Sequence, residues 1–112
     1  MNTFSVVINA CFGGFGLSSK AIQWLKDRQH PLAVERWHQV ILGHGASSYL
    51  SNIQRDDPFL VECVRTLGEE AASGQCAQLE IQEVPVGSNW DVDVQDGLET
   101  LSHWPRGVAS GR

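Results

Sequence analysis

The chain is short of basic residues, of cysteine and of long apolar runs, and each shortage excludes something. Eight Lys+Arg stand against 13 Asp+Glu, a formal net charge of -5. Sequence-independent binding of duplex nucleic acid needs a basic face to neutralise phosphates, so no duplex partner is expected. The three cysteines, Cys11, Cys63 and Cys76, are widely spaced and form no CxxC. That removes a zinc ribbon and a dithiol redox motif, and leaves reduced, partly buried thiols of a cytoplasmic protein. No apolar run approaches the ~18 residues of a membrane span. Met1-Asn2-Thr3-Phe4 has no basic segment ahead of its short apolar stretch, so neither a membrane partner nor a signal peptide is expected.

What is present is globular in character. Hydrophobic residues make up 42% and charged residues 19% of the 112 positions. A chain of this length forms one domain and buries roughly two-thirds of its unfolded surface. The patterning predicts a single α+β domain over residues 1–106, a small antiparallel sheet with two or three helices, and a loose tail at 107–112.

Along the chain, Thr3 to Ala10 reads as a strand, its consecutive Val6, Val7 and Ile8 suiting burial on both faces. Phe12-Gly13-Gly14-Phe15-Gly16 breaks it. Ser18 or Ser19 can cap a helix running to about Gln29, with Ala21, Ile22 and Leu25 inward and Trp24 on the flank. His30-Pro31 ends that helix. Val34, Trp37 and Ile41 have helical spacing, and Gly43 to Ser48 reads as a loop. Asp56-Asp57-Pro58 starts a helix whose stripe is Leu60, Val61, Val64, Leu67 and Ala71, with Glu62, Arg65 and Glu69 outward and Ser73-Gly74 as its stop. Leu79 to Val84 reads as a strand closed by Pro85. Trp90, Val92 and Val94 alternate with Asp91, Asp93 and Gln95 in a half-buried strand, Asp96-Gly97 is a two-residue hairpin turn, and Leu98 to His103 returns.

Several groups of residues could carry chemistry. The turn Phe12-Gly13-Gly14-Phe15-Gly16 between strand and helix can present backbone N–H groups to a phosphate, or can simply be a tight turn packed under two phenylalanines. It matches neither GxxxxGK[ST] nor GxGxxG, so no nucleotide-hydrolysis machinery is indicated. Cys11 ends a strand, where nucleophiles often sit, yet no spacing selects a base among His30, His38, His44 and His103, and the plain reading is packing. The histidines lack a third ligand at metal spacing. Asp91, Asp93, Asp96 and Glu99 read as a solvated strand face with a turn aspartate rather than an acid/base pair. Arg28, Arg55 and Arg106 are candidate phosphate forks, and Phe12, Phe15, Trp90 and Trp104 candidate stacking platforms. Residues 1–60 carry 5 basic and 4 acidic side chains, residues 61–112 only 3 basic against 9 acidic, so an anion site draws on the first half and Arg106.

The string Val7-Ile8-Asn9-Ala10-Cys11-Phe12-Gly13-Gly14-Phe15-Gly16-Leu17-Ser18 resembles the opening of a family of small tailed-phage proteins, the anti-Thoeris signal sponges of the first described type. The similarity continues through Arg55-Asp56-Asp57-Pro58, Leu67-Gly68-Glu69-Glu70-Ala71, Glu83-Val84-Pro85, Trp90, Asp96-Gly97, Glu99 and Arg106. The resemblance implies a non-enzymatic protein of the infected host's cytoplasm, without cofactor or metal. Such a protein binds cyclic ADP-ribose-type signals, or cyclic oligonucleotides, and withholds them from their effector. It implies a homo-oligomer with sites between protomers, in which Arg106 contacts phosphate and Asn89 lies near base or ribose, with Arg28 a further contact. His103-Trp104-Pro105 stands where the family has a more polar run. The competing readings are a phage structural or protein-interaction module and a nucleotide-processing enzyme.

Overall fold

A computed structural model describes residues 2–41, 50, 53–74 and 77–107. The order is β1 (Thr3–Asn9), α1 (Ser19–Asp27), α2 (Pro31–Ile41), α3 (Pro58–Leu67), α4 (Glu69–Ala72), β2 (Leu79–Pro85), β3 (Ser88–Gln95) and β4 (Leu98–Pro105). This is the expected small α+β domain, with two differences: the described residues form four helices rather than two or three, and the strands form two antiparallel pairs, β1–β2 and β3–β4, rather than one sheet.

The β1–β2 ladder is a middle layer. Val7 and Leu79 point into a core made with α1, α3 and α4, while Val6, Ile8 and Val84 point the other way, against Phe4, Trp90, Val92 and Leu101. The unbroken Val6-Val7-Ile8 run is the sequence of a strand covered on both sides, by helices below and by the β3–β4 hairpin above. A two-stranded sheet has two edges, and both are partly capped. On β1, the N–H groups of Val7 and Asn9 donate to the Arg55 carbonyl (2.8 Å) and to Glu99 Oε1 (3.1 Å). On β2, those of Leu79 and Ile81 donate to Ser73 Oγ (2.8 Å) and Glu69 Oε2 (2.9 Å). Backbone groups that would otherwise template another strand are thereby satisfied.

Ser18 is the α1 cap, its Oγ accepting from the Ala21 N–H at 3.1 Å, and Ala21, Ile22 and Leu25 are fully buried. α1 ends at Asp27, before the expected Gln29. Gln29 takes the left-handed conformation (φ 63°) and the His30 N–H closes on the Leu25 carbonyl (3.0 Å), so Pro31 does not end α1 but opens α2, behind His30. The His30 carbonyl accepts from Val34, and Nδ1 of its ring accepts from the Leu32 N–H (3.3 Å). Nε2–H is then left to donate to Asp57 Oδ2 at 2.8 Å. Asp57 in turn caps α3 through the Phe59 N–H. This fixes the phase of α2, and the phase differs from the expected stripe: Ala33 is buried and Val34 is 48% exposed. The small Ala33 and the half-buried Leu32 and Trp37 meet the core instead.

The helix after Pro58 is also shorter than its pattern implies. Gly68 (φ 94°, ψ 149°) occupies a region that only glycine enters readily, so it separates α3 from α4. Past that break the buried alanine is Ala72, and Ala71 is exposed. The hairpin turn at Asp96-Gly97 is as expected, both residues at positive φ (54° and 87°), the conformation of a type I′ turn. Val94, expected half-buried, is 63% exposed. Gly43 to Ser48, Cys76 and residues 108–112 lie outside the described residues. Among the described residues, no helix is long and apolar enough to cross a membrane.

Candidate functional site

The residues with the densest polar chemistry meet where β1 ends. Asn9 is fully buried and every polar atom of its side chain is bonded. Nδ2 donates to the Cys11 and Gly97 carbonyls (2.8 Å each), and Oδ1 accepts from the Gln78 N–H (2.8 Å) and from Cys11 Sγ (3.4 Å). Glu99, only 4% exposed, accepts the Asn9 N–H and a bidentate fork from Arg55, Nε to Oε1 at 3.1 Å and Nη2 to Oε2 at 2.7 Å. Arg55 Nη1 donates to the Ile53 carbonyl at 2.6 Å, and the guanidinium lies 3.7 Å from the centroid of Phe15. An ion pair this sheltered is held by complete hydrogen bonding rather than by charge alone.

Glu99 therefore departs from the solvated-face reading of the four carboxylates. The register pairs it with Val94, which puts it on the face shared by Trp90, Val92 and Leu101, whereas Asp91 and Asp93 pair with Ser102 and Thr100 on the opposite face. Carrying the alternation of β3 around the two-residue turn would have revealed this. Asn9 was legible only as a lone polar residue closing an apolar strand.

The sequence candidates are divided among separate places. Phe12, Gly13 and Gly14 sit on the turn against the hairpin tip, with Phe12 68% exposed. Phe15 is 7% exposed beneath Arg55. The Gly16 carbonyl accepts from Gly74 (2.9 Å) and the Ser18 N–H donates to Ala72 (2.9 Å), so this part of the turn is tied to the segment after α4. Arg28 follows α1, stacked 3.5 Å from the Trp24 ring centroid with Nη1 on the Trp24 carbonyl. Trp90 packs edge-on against Phe4 at 6.2 Å, a core contact. Asn89 lies on the other face of β3, exposed and directly opposite the half-buried Trp104, and Arg106 follows β4 immediately, exposed. Among the described residues the Arg106 side chain has no hydrogen bond or ion pair, and Glu99 is taken by Arg55.

The two ends of the hairpin are far apart. Its strands of eight residues, at ~3.4 Å per residue, separate the glycine turn from Arg106 by about 24 Å. One chain therefore does not gather Phe12 and Arg106 around one small molecule. Two clefts, of about 500 Å³ beside Glu69, Glu70 and Gln78 and about 400 Å³ between β1 and α3, are lined by none of these candidates. In the second, the Glu83 carboxyl is held below its ordinary range, foremost by the Ser5 hydroxyl, then by that of Thr3 and by Arg65.

Cys63 is fully buried with its Sγ toward the Ala21 carbonyl, and burial pushes the thiol up to about 12, far from a reactive thiolate. His30 is committed to Asp57 and Leu32, and His103 is exposed on β4. Among the described residues no three His, Cys, Asp or Glu side chains converge in a metal-holding group. Comparison with protein-family models, with curated proteins and with solved structures returns no match.

Proposed function

We propose that the protein binds and sequesters a cyclic nucleotide signal, of the cyclic ADP-ribose or cyclic oligonucleotide class, without degrading it, at sites completed between copies of the chain. The observation that carries this reading is the open end of the β3–β4 hairpin: an exposed amide, Asn89, is paired in register with a half-exposed indole, Trp104, and an exposed arginine, Arg106, follows two residues later. Guanidinium for phosphate, indole for a base face and amide for a base edge or ribose are the groups a nucleotide requires. The resemblance of Cys11-Phe12-Gly13-Gly14-Phe15-Gly16-Leu17-Ser18 to phage signal sponges supports the same class of ligand. A site open on one chain and separated from the exposed Phe12 suits completion by a second protomer.

In an acidic protein, affinity for an anion has to come from close contacts rather than long-range steering. A thermal-shift series with cyclic ADP-ribose isomers and cyclic di- and trinucleotides tests the reading. A ligand at ~100 times its dissociation constant adds roughly 2.7 kcal/mol of stability, so at least one member should raise the melting temperature by several degrees. No shift across the whole series would favour a protein-interaction module.

A further inference from the structure

We infer that Gly97, at the hairpin tip, is a positioning residue that keys the β3–β4 hairpin into the glycine turn, so that the turn bearing Phe12 and the strands bearing Asn89 and Arg106 behave as one rigid unit. The contact is unusually close. A Cβ built on Gly97 would lie 2.6 Å from both the Gly14 nitrogen and the Phe12 carbonyl oxygen, and 2.9 Å from Gly14 Cα. All three are backbone atoms that cannot swing aside as a side chain could. The fit is held from beneath by a single amide: Asn9 Nδ2 bridges the Cys11 carbonyl on the turn and the Gly97 carbonyl on the hairpin, at 2.8 Å each. Asn9 is itself anchored by Glu99, two residues beyond Gly97, and Glu99 by Arg55.

This chain of contacts explains how Phe12 can be 68% exposed on a glycine-rich turn and still be held in a fixed place. The exposed ring projects from a backbone braced by the hairpin tip and by Asn9. The strands that brace it run without interruption to Asn89 and Pro105. Arg55, read from sequence as a phosphate fork, acts through Glu99 in this arrangement. As far as ligand affinity is concerned, the inference rests on the sequestration reading above; the coupling between hairpin and turn does not.

A matched pair of variants isolates the coupling. Gly97 (φ +87°) and Gly87 (φ +92°) are both turn glycines in the left-handed region, so alanine strains either backbone alike. Only at Gly97 does the new methyl meet anything; at Gly87 nothing lies within 4 Å. Gly97→Ala should therefore speed amide hydrogen exchange at Gly13 and Gly14 and move their resonances, by about tenfold or more in rate relative to Gly87→Ala. If Gly97→Ala does not fold, Glu99→Gln loosens the same connection from beneath and should give the same change in smaller measure. Equal loop exchange in the Gly97 (or Glu99→Gln) and Gly87 variants would overturn the inference. With the wild type binding cyclic ADP-ribose, Gly97→Ala should also weaken that binding about tenfold relative to the wild type, under conditions where both are folded. Equal affinities would overturn the positioning role. If the wild type binds none of the cyclic nucleotides, the sequestration reading fails, and the exchange comparison still decides the coupling.

Discussion

Replacing Glu99 by alanine is expected to cost about 3 kcal/mol of stability, the scale of breaking a sheltered ion pair from one side. The substitution removes the carboxylate that holds both ends of the Arg55 fork and accepts the Asn9 N–H. Arg55, with a side chain 16% exposed, would be left as a nearly buried cation over Phe15. The buried Asn9 N–H would lose its acceptor. For a chain of this size the loss corresponds to a fall in melting temperature on the order of 10 °C. A double-mutant cycle adds a sharper expectation: Arg55→Ala with Glu99→Ala should cost clearly less than the two single losses together, because the second deletion no longer strands a charge. Thermal or urea unfolding measures both. A Glu99→Ala protein melting within about 3 °C of wild type would show that the hub at the end of β1 carries little of the fold's stability.

The second large effect falls on ligand affinity. Arg106 is exposed at the end of β4 and makes no side-chain hydrogen bond or ion pair among the described residues, so Arg106→Ala should leave the melting temperature of the free protein unchanged. A charge-assisted phosphate contact in a sheltered site contributes on the order of 1.5–3 kcal/mol, so the dissociation constant should rise roughly 10- to 150-fold. The separation of the two readouts is what gives the test its force. A residue supporting the fold would lower both stability and affinity, whereas a ligand contact lowers affinity alone. Unchanged affinity in the Arg106 variant would remove the open end of the hairpin as the site, even if the protein binds nucleotides elsewhere.

The parts of this fold that were legible in the sequence are those set by local chemistry. β1 announced itself through Val6-Val7-Ile8, the start of α3 through Asp57-Pro58, and the hairpin turn through Asp96-Gly97, and all three lie where the sequence puts them. The parts that were not legible depend on tertiary partners. The phase of α2 is set by His30 reaching across to Asp57, a contact 27 residues away in sequence, and it buries Ala33 in place of Val34. The break at Gly68 lay inside an apolar stripe that runs on smoothly to Ala71. Among the site residues, Arg55 looked like a free fork because its partner, Glu99, looked solvated; the two meet 44 residues apart only once the hairpin folds over β1. Trp90 and Phe15 carried the chemistry of stacking platforms, but they face Phe4 and Arg55. Asn89 came from the resemblance alone, and Arg106 from its chemistry as a phosphate fork as well as from the resemblance; they lie at the same end of the β3–β4 hairpin.

The claim that the protein sequesters a signal without consuming it is tested most directly by capture and release. The purified protein, in molar excess, is mixed with cyclic ADP-ribose isomers and cyclic oligonucleotides, and free ligand is separated by ultrafiltration. The protein fraction is then denatured and the small molecules are quantified by mass spectrometry. At least one cyclic nucleotide should be depleted from the filtrate and returned by denaturation, chemically unchanged and in near-full yield. Recovery of a linear or hydrolysed product instead would make the protein an enzyme and contradict the account. Full recovery of every nucleotide in the filtrate would leave no ligand of this class for it to hold.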